Sequence, residues 1–257
     1  MNKNSNSYTI IYSAVMVILV AAALAFASIS LSDKQTENIN TEKKMNILAS
    51  INKGDAKGAP NKNKYIDEEY QKYIVESYCV DINGNKTNAE AFSTDLQVEL
   101  KKQEKERNLP VFVSGDNNAK RYILPVRGAG LWGPIWGYIS LNDDFNTICG
   151  AVFDHKGETP GLGAEISTEM FCKQFAGKTI FEGNRFVGIN VVKPGGTPTN
   201  HTVDGISGGT ITSEALGNMV ISCLKDYQKY FEKQKAASQP VISEPEPVDI
   251  TSQQMIN

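Results

Sequence analysis

Asp204-Gly205-Ile206-Ser207-Gly208-Gly209-Thr210 stands directly ahead of an amphipathic run, Thr212 to Lys233, with Leu216, Met219, Val220, Cys223, Leu224 and Tyr227 on one face. That spacing predicts a helix packed on a core. Glycines at 205, 208 and 209 let the backbone adopt positive φ and approach another group closely. The helix start offers unpaired N–H groups and the positive end of a dipole. Two readings fit these residues: an ordinary turn closed by a Ser/Thr cap, or a phosphate site with hydroxyls from Ser207, Thr210 and Thr212. No Lys-Ser/Thr pair follows the glycines, so this is not a P-loop. Within this segment GxGxxG is absent too, so it is not a dinucleotide fingerprint.

Upstream, Arg121–Val126 and Trp136–Leu141 read as strands joined by a glycine-rich loop, Gly128–Pro134. Thr147–Phe153 and Arg185–Val192 read as two more strands, and Glu165–Phe175 as a helix. Tyr73–Val80 reads as a strand closed by the turn Asn83-Gly84, and Asp95–Arg107 as a charged surface segment. Strands gathered around a few helices predict an α+β domain, which we place at residues 65–235. The Pro/Ser/Glu-rich tail, residues 236–257, lacks a core pattern and reads as disordered.

The N-terminus carries a different signal. Tyr8 to Leu31 is free of charge; as a helix it spans ~36 Å against a hydrocarbon core of ~30 Å. Ala25-Phe26-Ala27 fits a signal-peptide cleavage pattern, but the apolar run is long for one and only Lys3 and the terminal amine precede it. A retained transmembrane helix over 8–31 is the favoured reading. It follows a short cytoplasmic N-terminus at 1–7 and leaves the bulk of the chain exported. Residues 32–64 read as a short juxtamembrane helix, with Met45, Leu48 and Ile51 at helical spacing, and a Gly/Lys/Asn linker.

In 257 residues, 26 basic and 29 acidic side chains nearly balance, so no nucleic-acid partner is expected. Cys79, Cys149, Cys172 and Cys223 show no metal-ligand spacing, and only His155 and His201 accompany them. No metal site from this chain alone is expected, and the cysteines read as small buried hydrophobes.

Asp204–Thr210 resembles the flavinylation motif Asp-Gly-x-Ser/Thr-Gly-Ala-Thr of FMN-binding domains, with Gly209 where alanine is usual. Gly157-Glu158-Thr159-Pro160-Gly161-Leu162-Gly163 resembles that family's second signature. Gly128–Gly137, with Leu131-Trp132, resembles the corresponding segment of the C-subunit family of sodium-pumping NADH:quinone oxidoreductases, as does the order of anchor, juxtamembrane helix and flavin domain. The resemblance runs from Tyr8 to about Tyr230. It implies a mainly antiparallel sheet with flanking helices behind one transmembrane helix, and FMN bound covalently through its phosphate to Thr210. Asp204, Gly205, Ser207, Gly208 and Gly209 would surround the phosphate, with Asp204 positioning the threonine or binding the metal used in flavin transfer. Leu131 and Trp132 would pack on the ring. Thr159 and N–H groups of the turn through Gly161, Leu162 and Gly163 would reach its polar edge. Glu158 would be a ring contact or a loop-stabilising carboxylate, and Lys193 would offer charge to the phosphate or ring. By resemblance the chain relays electrons from NADH oxidation toward quinone reduction, coupled to sodium export. It does so in a membrane complex of six subunits, after maturation by a flavin transferase, without binding NADH itself. The alternatives are the equivalent subunit of an Rnf-type ferredoxin:NAD+ oxidoreductase and a non-redox exported binding module.

Overall fold

The computed structural model describes residues 6–116, 119–197 and 199–238. The elements are α1 (Asn6–Ala49), α2 (Lys62–Tyr73), β1 (Ile74–Val80), α3 (Leu96–Glu99), β2 (Leu109–Asp116), β3 (Ala119–Ala129), β4 (Pro134–Asn142), β5 (Ile148–His155), α4 (Glu169–Lys173), β6 (Phe181–Glu182), β7 (Arg185–Phe186), β8 (Asn190–Val192), β9 (Thr202–Asp204), α5 (Thr210–Asp226) and α6 (Gln228–Ser238). β1 to β5 form one antiparallel meander in sequence order. The fold is therefore α+β, as the sequence predicts.

The period-two alternation of strands sorts the core into two layers. On one face Val111, Val113, Leu124, Val126, Ile139 and Phe153 meet Leu216, Val220, Leu224 and Phe231 of α5 and α6. On the other face Phe112, Ile123 and Tyr138 meet Ile47, Leu48, Ile51 and Ile66 from the end of α1, the chain after it, and α2. The sheet lies between two helical layers.

Several expectations change. The anchor and the juxtamembrane helix are one continuous helix of 44 residues, about 66 Å long. Its apolar part is long enough to cross a membrane and is wholly exposed, while Ile47 and Leu48 near its end are fully buried. Part of the expected linker is α2, opened by the Asn61 side chain, which accepts from Lys64 N–H at 3.1 Å. β2 has no counterpart in the sequence reading. Arg185–Val192 is not one strand. It contributes β7 to a two-residue hairpin with β6 and β8 to a parallel pair with β9. Glu165–Phe175 divides into a 3-10 turn, Gly163–Ser167, and α4, because Thr168 caps α4 with a bond from Phe171 N–H. The predicted helix Thr212–Lys233 starts at Thr210 and breaks at Tyr227, whose hydroxyl donates to Pro110 O at 2.8 Å. α6 carries the domain to Ser238; the remainder of the expected disordered tail, residues 239–257, and the extreme N-terminus, residues 1–5, lie outside the described residues.

Cys79, Cys172 and Cys223 are buried, Cys149 is half-buried, and all four are unpaired. Burial pushes the thiols of Cys172 and Cys223 up to about 11, which keeps them protonated and inert at neutral pH.

A candidate flavin site at the start of helix α5

The site grows from the β8–β9 pair. Val192 pairs with Asp204, and Gly205 N–H donates to Val192 O at 2.7 Å. The Gln174 side chain fixes Asp204 from the other side. Its amide nitrogen donates to Asp204 O at 3.2 Å, and its oxygen accepts from Asp204 N–H at 2.8 Å. The chain then turns through Ile206–Gly209, where Gly208 has φ of 76°, a value at which a β-carbon is disfavoured. Gly209 ends the turn as the N-cap of α5 and supplies no capping side chain. The first amides of a 17-residue helix are thus left without a side-chain cap, and no acidic residue stands in its first turn. This is the environment a phosphate requires.

The hydroxyls near this point differ in availability. Thr210, the first helical residue, is exposed, as is Ser207. Thr212 and Ser213 are buried and engaged: Thr212 Oγ1 donates to Glu158 Oε2 at 2.6 Å, and Ser213 Oγ accepts from Ile206 N–H at 2.9 Å. Gly209 is buried. A β-carbon there would stand 3.1 Å from Leu162 C and 3.1 Å from Ile206 Cγ2. The chain's departure from alanine at this position therefore goes with a turn packed tightly against Leu162 and Ile206, not with a loose one.

Glu158 joins the remaining loops. It is 4% exposed. Its Oε1 accepts from Trp132 N–H at 2.9 Å, and its own N–H donates to His155 Nδ1 at 3.2 Å. Burial opposes ionisation, but the hydrogen bonds from Thr212 and Trp132 outweigh it, with His155 helping, and hold the carboxyl below the ordinary range. Its partners are thus the Trp132 loop and helix α5.

Around this clamp lies an apolar shelf. Trp132 is 69% exposed, Ile211 58%, Leu131 48% and Leu162 42%. These four side chains belong to the loops and the helix that meet at Glu158. Thr159 is exposed and its carbonyl accepts from Leu162 and Ala164 N–H, while Gly161 N–H donates to Glu165 Oε1 at 3.1 Å. Two turn amides assigned to the ring's polar edge are thus spent within the loop. Gly163 is buried against Glu158 and Thr212. Lys193 is exposed, one residue beyond the Val192–Asp204 pair. Gln174 and Ile211 are the additions sequence reasoning missed; neither belongs to a recognisable spacing.

A capless helix start behind a glycine turn, with exposed apolar side chains on the neighbouring loops, can receive a phosphate group. Residues 130–225, which span most of the three loops, match the FMN-binding domain family. The chain is 30% identical to the C subunit of Na(+)-translocating NADH-quinone reductase from Haemophilus ducreyi, over 84% of this chain and 89% of that protein. It is 29% identical to the C subunit from Pseudomonas aeruginosa, over 85% and 91%. The crystal structure of the C subunit from Parabacteroides distasonis superposes with a TM-score of 0.71 at 42% identity, covering 78% of this chain and 96% of that one. The chain belongs to the C-subunit family of Na(+)-translocating NADH-quinone reductases, and its residues 130–225 match an FMN-binding domain.

Proposed function

We propose that the chain carries FMN as a phosphoester on Thr210 and relays electrons inside a sodium-translocating NADH:quinone reductase. The observation that carries the attachment site is the contrast in hydroxyls. Thr210 stands exposed on the first turn of α5, while Thr212 and Ser213 are buried and already bonded. Ser207 is exposed but precedes the helix, and the motif resemblance favours Thr210. The donor set fits the cofactor: helix amides for a phosphate, glycines for close approach, and an apolar shelf for a planar ring.

Bound FMN supplies reversible one- and two-electron chemistry. The chain's residues do the rest. The Thr210 oxygen would attack the phosphorus of the flavin donor that the transferase uses; the donor's P–O bond would break and the departing oxygen would take up the hydroxyl proton, so that the chain gains FMN less one water. The first amides of α5 bind the phosphate oxygens, with Ser207, Gly208 and Asp204 around them. Trp132, Leu131 and Leu162 support the ring and shield it from water, Thr159 offers a hydroxyl to its polar edge, and Lys193 offers positive charge nearby. α1 holds the domain at the membrane as a retained single span, with the domain on the outer side. The other members of a complex of six subunits exchange electrons with it, and a flavin transferase loads it.

Denaturing gels viewed under ultraviolet light test the attachment after co-expression with a flavin transferase. Wild type gives a fluorescent band; Thr210→Ala gives none, and Thr210→Ser retains part. A fluorescent Thr210→Ala band would overturn the assignment.

A further inference from the structure

We infer that Glu158 is a positioning residue that couples the two halves of the site, holding the loop with Trp132 and the helix with Thr210 in one geometry. Its functional meaning rests on the flavin reading above; its structural content does not. The two carboxylate oxygens go to different elements: Oε1 to the N–H of Trp132, in the loop between β3 and β4, and Oε2 to the hydroxyl of Thr212, in the first turn of α5. Through its backbone N–H the residue is also tied to His155 at the end of β5. The surroundings are shaped to admit it. A β-carbon at Gly130 would fall 2.5 Å from Oε1, and one at Gly163 would fall 2.6 Å from Oε2 and 2.6 Å from Thr212 Oγ1. The β3–β4 loop, Glu158's own loop and the first turn of α5 thus each offer Glu158 either a donor or a missing side chain.

The indole of Trp132 is mostly in solvent, so its own packing does little to fix that loop. The bond from the Trp132 backbone N–H to Glu158 does, and that carboxylate is in turn oriented by Thr212. A movement of α5 is therefore transmitted to the ring-side loop through one side chain. Charge-assisted bonds of this kind are about twice as strong as neutral ones. Glutamine keeps the shape and can present oxygen to Trp132 and N–H to the Thr212 hydroxyl, so it should restore part of what alanine removes.

The test uses the full-length chain in detergent, without and with flavin. In the flavin-free chain, Thr212→Val should speed hydrogen exchange at the Trp132 amide about tenfold, the scale of one lost charge-assisted bond. Glu158→Ala should do so more strongly and Glu158→Gln less. In the loaded chain, Thr212→Val and Glu158→Gln should shift the flavin absorption maximum and potential in the same direction. The double variant should shift them no further than the larger single one, because both cut the same connection. Tyr227→Phe, which touches only the core, should lower the melting temperature and leave Trp132 exchange and the flavin spectrum alone. Unchanged Trp132 exchange in Thr212→Val, or additive shifts in the double variant, would overturn the coupling. If the Glu158 variants fail to fold, Thr212→Val decides alone. If wild type takes up no covalent flavin, the flavin reading fails while the exchange result still decides the clamp.

Discussion

Glu158 and Thr210 illustrate how far single residues can be read. The place of Thr210 by a helix start was legible because a glycine turn precedes an amphipathic run there. The partners of Glu158 were not, because they are Trp132, 26 positions away, and Thr212, 54 positions away. The same holds for Gln174, which grips the backbone of Asp204 30 positions on. Sequence spacing carries no information about such distant pairings. The depressed titration of Glu158 has a consequence for stability. A carboxyl held below its ordinary value stabilises the fold above the unfolded value, and that contribution is lost as pH falls through and below it. His155 is the titratable neighbour facing it. Lowering pH from 7 to about 3.5, beneath the ordinary glutamate value, should reduce the melting temperature of wild type more than that of Glu158→Gln. Equal losses in the two proteins would show that Glu158 contributes nothing to the acid response.

At the scale of elements, strands with neighbours close in sequence were legible. β3, β4 and β5 announce themselves by branched and aromatic runs with a glycine loop between the first two. β2 escaped notice: Pro110 and Gly115 punctuate its run, and its membership rests on pairing with β1 and β3. The break between α5 and α6 escaped for another reason. The apolar stripe continues through Tyr227, Tyr230 and Phe231, so periodicity suggests one helix. Tertiary contact decides instead: the Tyr227 hydroxyl reaches Pro110 O on β2, and burial drives the phenol well above its ordinary value. Tyr227→Phe leaves that carbonyl unsatisfied in the core and should cost about 1–3 kcal/mol. Denaturant unfolding measures it; a difference under about 0.5 kcal/mol would mean another donor or water replaces the hydroxyl.

At the scale of the whole molecule, the helix that reads as an anchor also belongs to the core. Ile47, Leu48 and Ile51 are at most 1% exposed. The Ser140 hydroxyl donates to Ser50 O, and Arg121 reaches Ile51 O at 3.3 Å, so the chain leaving α1 is bonded to β3 and β4. The charge-free run over 8–31 was visible in the sequence; that the helix carrying it runs on into the core was not. Deleting residues 1–32 should therefore release a folded, soluble domain. Deleting residues 1–52 removes three buried aliphatic side chains at about 2–5 kcal/mol each, comparable to a whole domain's stability of roughly 5–15 kcal/mol. Circular dichroism should show cooperative melting for the first fragment and none for the second; cooperative melting of both would detach α1 from the fold.

The central claim concerns one covalent bond, and peptide mapping by mass spectrometry reads it directly. After co-expression with a flavin transferase, the peptide containing residues 204–213 should carry the mass of FMN less one water, with fragment ions placing it on Thr210. Added mass on Ser207, Thr212 or Ser213, or an unmodified peptide from a host that flavinylates other FMN-binding domains, would contradict the account.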